Sequence, residues 1–147
     1  MASGERGLIG RAPGVGWWQY GGRVIDALAG ERYVLVTTFR RDGTPVPTAV
    51  WAVADGDALA IWTVTTSGKV KRIRNNPEVT VAPCDLRGKP RGEAVRARAE
   101  VLSPQDTDRV RDLLRKKYGL QARLTLLGSR LRRGDEGTIA IGITLVP

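Results

Sequence analysis

The sequence predicts a mainly β protein: a small closed barrel of six antiparallel strands with helices packed against its outside. Three observations carry this. Short β-rich segments follow one another across hairpin-type turn signals. Several of them alternate apolar with polar residues. The helical periodicities are too few to cover both faces of a sheet.

Taken in order, the first thirty residues hold eight of the eighteen glycines, together with Pro13. Residues 1–16 are expected to form a flexible N-terminal tail ahead of one domain over 17–147. Trp17, Trp18 and Tyr20 are too apolar for a free tail and are expected to dock on the body or on a neighbouring subunit. Val24, Ile25 and Leu28 share one face of a short helix over about 22–29.

Tyr33 to Phe39, β-branched and aromatic, reads as the first strand and turns at Arg41-Asp42-Gly43-Thr44. The second strand runs from Pro45 to Ala54. Asp55-Gly56-Asp57 leads into a third from Ala58 to about Val64, and consecutive hairpins predict an antiparallel meander. The fourth strand is Val79 to Cys84, with a turn-rich link over 86–92. In the fifth, Glu93 to Leu102, Val95, Ala97, Ala99 and Val101 oppose Arg96, Arg98 and Glu100.

Ser103, Pro104 and Asp106 supply an N-cap, a first-position proline and a capping acid. The helix they start places Val110, Leu113, Leu114 and Tyr118 on one side and ends at Gly119. Leu120, Leu124, Leu127 and Leu131 mark a further helix, followed by a charged break over 132–137. The last strand carries Ile139, Ile141, Ile143 and Leu145 on one face.

Between the third and fourth strands lies the segment that points to chemistry, Thr65-Thr66-Ser67-Gly68-Lys69-Val70-Lys71-Arg72-Ile73-Arg74-Asn75-Asn76-Pro77. Ser67 can cap a helix of about two turns, Val70 and Ile73 give it an apolar stripe, and Asn75-Asn76-Pro77 stops it. Lys69 falls in the first turn, where the helix dipole is already positive. A bound anion would remove that conflict, and free N–H groups, a hydroxyl and lysines suit a phosphate monoester. A solvated basic helix is the plainer reading of the same charges.

The formal net charge of +9 favours an anionic partner: nucleic acid, an acidic surface or a phosphorylated cofactor. With no histidine, the chain has no His-based triad and no imidazole metal site. Cys84 is the only cysteine, so no internal disulfide forms and a reducing cytoplasm is the expected home. No apolar run approaches the ~20 residues that cross a bilayer, and the start lacks a signal-peptide core. No membrane partner is expected. These exclusions leave a protein that takes its chemistry from a cofactor or has none.

The order and spacing of Thr37-Thr38-Phe39-Arg40-Arg41-Asp42-Gly43-Thr44-Pro45-Val46-Pro47-Thr48, Val50-Trp51, the 67–77 segment and Val81-Ala82-Pro83-Cys84-Asp85 resemble the pyridoxamine 5′-phosphate oxidase-like family. The likeness is narrower to its branch that uses the deazaflavin coenzyme F420 in place of FMN. It runs from about Tyr33 to Leu102 and more weakly to the end. The resemblance implies a split β-barrel homodimer, an FMN-binding type of barrel, with the cofactor in a groove between subunits.

On this sequence the family's phosphate grip transfers to Ser67, Gly68 and Lys69, with Lys71 and Arg74 as further candidates. The ring wall transfers to Pro47, Thr48, Ala49, Val50 and Trp51, and to Trp62 and Thr63. FMN remains the alternative cofactor, since the phosphate grip is shared. Family oxidases carry a C-terminal Trp and an Arg-Leu-His-x-Arg segment that binds pyridoxal phosphate. This chain lacks them, so oxidation of vitamin B6 is not expected.

The implied activity is hydride transfer from reduced deazaflavin to an unsaturated small-molecule substrate, with the catalytic proton donor unassigned. A non-catalytic flavin- or deazaflavin-binding protein is a second reading. Nucleic-acid binding through Lys69–Arg74 and Arg130–Arg133 is a third, weakened by the 5% aromatic content and the absence of RRM or zinc-finger signatures.

Overall fold

The structure, a computed structural model, describes residues 21–134 and 137–146, with backbone alone at 21–23 and 133. The expected tail, Trp17, Trp18, Tyr20 and part of the charged break lie outside the described residues. In chain order the elements are α1 (Gly21–Ala29), β1 (Tyr33–Phe39), β2 (Pro45–Val50), β3 (Ala52–Asp55), β4 (Ala58–Val64) and α2 (Gly68–Asn75). There follow β5 (Glu78–Cys84), β6 (Val95–Val101), α3 (Pro104–Tyr118), α4 (Leu120–Arg133) and β7 (Thr138–Leu145).

All strand pairs are antiparallel, in the order β2-β1-β5-β6-β7-β4-β3. The two edge strands, β2 and β3, are consecutive in sequence with Trp51 between them. One bent segment therefore joins both edges, and the sheet curls into a split barrel. This corrects the expectation of six strands to seven. The expected second strand breaks at Trp51, where pairing passes from β1 to β4. It also corrects the meander: β1–β2 and β3–β4 are hairpins, but β2 and β3 stand at opposite edges.

The break has a local cause on the outer face. The Trp51 ring stacks on Tyr118 at 4.5 Å and 12°. The Tyr118 hydroxyl lies 3.2 Å from the Ala52 N–H nitrogen, whose bond it accepts, and donates to the Arg32 carbonyl at 2.8 Å. Lys117 Nζ donates to the Ala52 and Glu31 carbonyls. The backbone at Ala52 is thus satisfied by α3 where a sheet ladder would otherwise continue.

Alternation sorts the side chains. Val34 and Val36 of β1, Leu59 and Ile61 of β4, and Ile141 and Ile143 of β7 fill the barrel at 0% exposure. Burial of each such side chain contributes about 1.5–3 kcal/mol, so this inner layer dominates stability. Val24, Ile25 and Leu28 of α1 and Val70 and Ile73 of α2 join the same core. Outside, Val110, Leu114 and Tyr118 of α3 pack on Val53, Ala60 and Ala140.

The α3 cap forms as its sequence predicts: Ser103 Oγ accepts the Asp106 N–H at 3.1 Å, with Pro104 opening the helix. Arg109 ties α3 to β3 through both Asp55 oxygens, at 3.0 and 2.7 Å. In α4 the buried face is Ala122, Leu126 and Ser129, whereas the leucines that mark the helix in the sequence point to solvent.

Candidate functional site

The site grows from the start of α2. Val70 and Ile73 anchor the helix in the barrel core and leave Lys71 and Arg74 exposed. Ser67 caps it, its Oγ accepting the Val70 N–H at 3.4 Å and lying 3.3 Å from Thr63 Oγ1. Thr63 is an inward, buried residue of β4, so the barrel wall holds the cap in place.

Arg72 folds back over the helix start. Its Nε donates to Thr38 Oγ1 at 2.6 Å, and a Cβ added to Gly68 would stand 2.7 Å from its Nη1. Glycine at 68 is what lets the guanidinium lie across the first turn. Opposite α2, the β1–β2 turn closes a cavity of about 600 Å³ lined by Phe39, Arg40, Arg41, Gly68, Lys71, Arg72, Asn75 and Asn76. Four cations and no carboxylate line it.

Lys69 is only 8% exposed, and among the described residues its ammonium has no hydrogen bond or ion pair. Burial, and then the neighbouring Arg72 charge, push its pKa below the ordinary lysine value. A buried cation at the positive end of a helix is stabilised by an anion. The residues present therefore fit a phosphate group: a partly desolvated ammonium, a capped helix start without a Cβ, and a cationic cleft reached through Gly68 and Arg72, which Lys69 itself does not line.

The residues assigned to a ring wall are divided by strand alternation. Thr48 and Val50 face inward, in register with Val36 and Val34. Pro47 and Ala49 face outward, opposite Thr37 and Leu35. Trp51 is committed to its stack with Tyr118. Trp62 faces outward opposite Ala140 and lines a second cavity, about 820 Å³, between the barrel and α3–α4. Its indole Nε1 is buried without a partner.

Within one chain the structure brings Thr63, Ser67, Gly68, Lys69 and Lys71 to one end of the barrel. It leaves Trp51 and Trp62 on the outer face; of the phosphate candidates Gly68 and Lys71 line the cavity, whereas Ser67, Lys69 and the exposed Arg74 do not. Arg40 and Arg41 are the residues that sequence reasoning missed. Nothing local announces that a hairpin turn will meet α2, whereas Arg72 lies one helical turn beyond Gly68.

Among the described residues no group of three His, Cys, Asp or Glu side chains could hold a metal. Burial, followed by the Asp85 charge, raises the Cys84 thiol pKa, which fits a packing residue rather than a nucleophile. Tyr118 is likewise engaged with backbone, and burial raises its phenol pKa. No helix among the described residues is long and apolar enough to cross a membrane.

Residues 23–145 match the family described as pyridoxamine 5′-phosphate oxidase, and the chain belongs to that family. Its fold is similar to a conserved hypothetical protein from Mycobacterium tuberculosis, at 19% identity and TM-score 0.64, covering 85% of this chain and 79% of that one. An F420 reductase is similar at 21% identity and TM-score 0.57, covering 83% and 93%. The haem storage protein of Vibrio cholerae is similar at 10% identity and TM-score 0.55, covering 85% and 89%. At these identities the likeness is one of fold. No curated protein matches the sequence.

Proposed function

We propose that this chain is an oxidoreductase that binds a phosphorylated flavin-type cofactor, with the deazaflavin coenzyme F420 preferred over FMN, and reduces an unsaturated small molecule. The observation that carries the reading is the nearly buried Lys69 side chain at a capped helix start whose Gly68, Lys71 and Arg72 line a cationic cleft. Family membership and a fold shared with an F420 reductase support it.

The bound cofactor would supply the hydride chemistry; the protein supplies binding, orientation and exclusion of water. Ser67, Gly68 and Lys69 would hold the phosphate, with Lys71 beside them and Arg72 taking the role first given to Arg74. The cationic rim of Arg40 and Arg41 suits the acidic tail of a deazaflavin better than the single phosphate of FMN. Thr63, 3.3 Å from the Ser67 cap, would stand nearest the ring, with Pro47 and Ala49 as outward-facing wall residues; Thr48 and Val50 point into the barrel, Trp51 is held by Tyr118 and Trp62 lines the other cavity. A flat ring needs a further wall, which we assign to a second copy of the chain in a cytoplasmic homodimer.

The test is to incubate the purified protein separately with FMN and with the deazaflavin, then read retained absorbance and fluorescence after gel filtration. Retention of the deazaflavin above FMN is expected. Retention of neither at micromolar protein overturns the reading. Retention without turnover on enones and quinones would instead support a storage role.

A further inference from the structure

Helix α4 shows solvent the richer of its two faces. Leu120, Leu124, Leu127 and Leu131 are 70%, 62%, 53% and 78% exposed, while the body receives Ala122, Leu126 and Ser129. At about 3.6 residues per turn the four leucines fall within roughly 60° of arc, a stripe along the whole helix directed away from the barrel. Exposed apolar residues scattered singly need no explanation, but four aligned on one helix face do.

The charges around the stripe indicate what covers it. α4 has no acidic residue, and exposed Arg123 and Arg132 stand on opposite flanks of the leucines. A second copy is a poor occupant. A helix of 14 residues offers about 21 Å by 10 Å, roughly 200 Å², against about 800 Å² per partner in a stable interface. Two such helices would also bring arginines against arginines. An anionic bilayer meets both features at once: leucines enter the acyl boundary while arginine stems run along the apolar surface to headgroup phosphates. The net charge of +9 adds long-range attraction of the same sign.

We propose that the outward face of α4 is a peripheral docking surface for bilayers containing anionic phospholipid. The protein would lie on such a surface without crossing it, which departs from the expectation of no membrane partner. This inference uses none of the cofactor residues and stands apart from the redox reading.

The experiment is flotation of the full chain with phosphatidylcholine vesicles, with and without roughly one third phosphatidylglycerol. The wild type should float with the anionic vesicles only, and less so in high salt. The double variant Leu124→Ser/Leu127→Ser alters two exposed side chains, so it should keep the wild-type melting temperature while its bound fraction falls about tenfold. Failure of the wild type to float overturns the proposal. So does equal flotation of the variant, which would mean charge without insertion. Light scattering on both proteins without lipid supplies a further arm: a wild-type assembly that the variant dissociates would assign the stripe to a second copy instead.

Discussion

Replacing Lys69 with methionine separates what the folded chain prefers from what the proposed ligand requires. The Lys69 residue is 8% exposed and its ammonium has no protein partner among the described residues, so folding strips part of its hydration without replacement, and a fully buried unpaired polar group costs about 1–3 kcal/mol. Methionine keeps the length and helix propensity of the side chain and removes the charge. Without ligand, Lys69→Met should therefore be more stable by about 1–2 kcal/mol, which raises the melting temperature by roughly 3–6 °C in a chain of this size.

The pH dependence has a definite sign. Because the folded pKa lies below the ordinary 10.5, the unfolded chain holds this proton more firmly. The penalty is full below the folded pKa and disappears as pH rises past 10.5, so the advantage of the variant should shrink in alkali. With cofactor the order reverses. Loss of a charge-assisted contact to phosphate, about 1.5–3 kcal/mol, weakens binding roughly 10- to 150-fold. Differential scanning calorimetry with and without deazaflavin or FMN reads both effects. A variant that melts below the wild type and retains cofactor equally well refutes the argument.

Four further outcomes follow from the geometry. Gly68→Ala puts a Cβ 2.7 Å from Arg72 Nη1, so the guanidinium must shift away from Thr38; helix propensity offsets the strain, and titration should show weaker cofactor binding at nearly unchanged stability. Ser67→Ala removes the α2 cap and should cost about 0.5–1 kcal/mol in urea denaturation, at the low end because the capping bond is long. Tyr118→Phe keeps the stack on Trp51 but strips the hydroxyl that serves Ala52 and Arg32, a loss of about 1–3 kcal/mol by the same measurement. Burial lowers the Lys117 pKa to about 8, so its folding penalty fades as pH rises from about 8 towards 10.5. Over that range the melting temperature of the wild type should climb relative to Lys117→Met.

Much of the fold was legible because its signals are local. The alternation of Val95, Ala97 and Ala99, the Ser103-Pro104-Asp106 cap and the Asp42-Gly43 and Gly56 turns are properties of a few neighbouring residues, and the elements they predict are present. The Ser67 cap belongs to the same class. Less legible was the Pro45–Ala54 run, which reads as one strand because nothing within it states that Trp51 will stack on Tyr118, 67 positions later. The leucines of α4 were equally ambiguous, since a period establishes a helix without saying which side meets the barrel.

The sequence by itself determined the inventory: a β-rich chain without histidine, strongly cationic, with a capped basic helix and the segments of a flavin-type family. Tertiary structure alone decided that Lys69 is buried while Lys71 and Arg74 are not, and that Arg40 and Arg41 meet α2 across a cleft. It also placed the two tryptophans on the outer face, away from the helix start. The reason is physical. Propensity, capping and hairpin turns depend on residues a few positions apart, whereas desolvation and the convergence of like charges depend on which distant segments the curled sheet brings together.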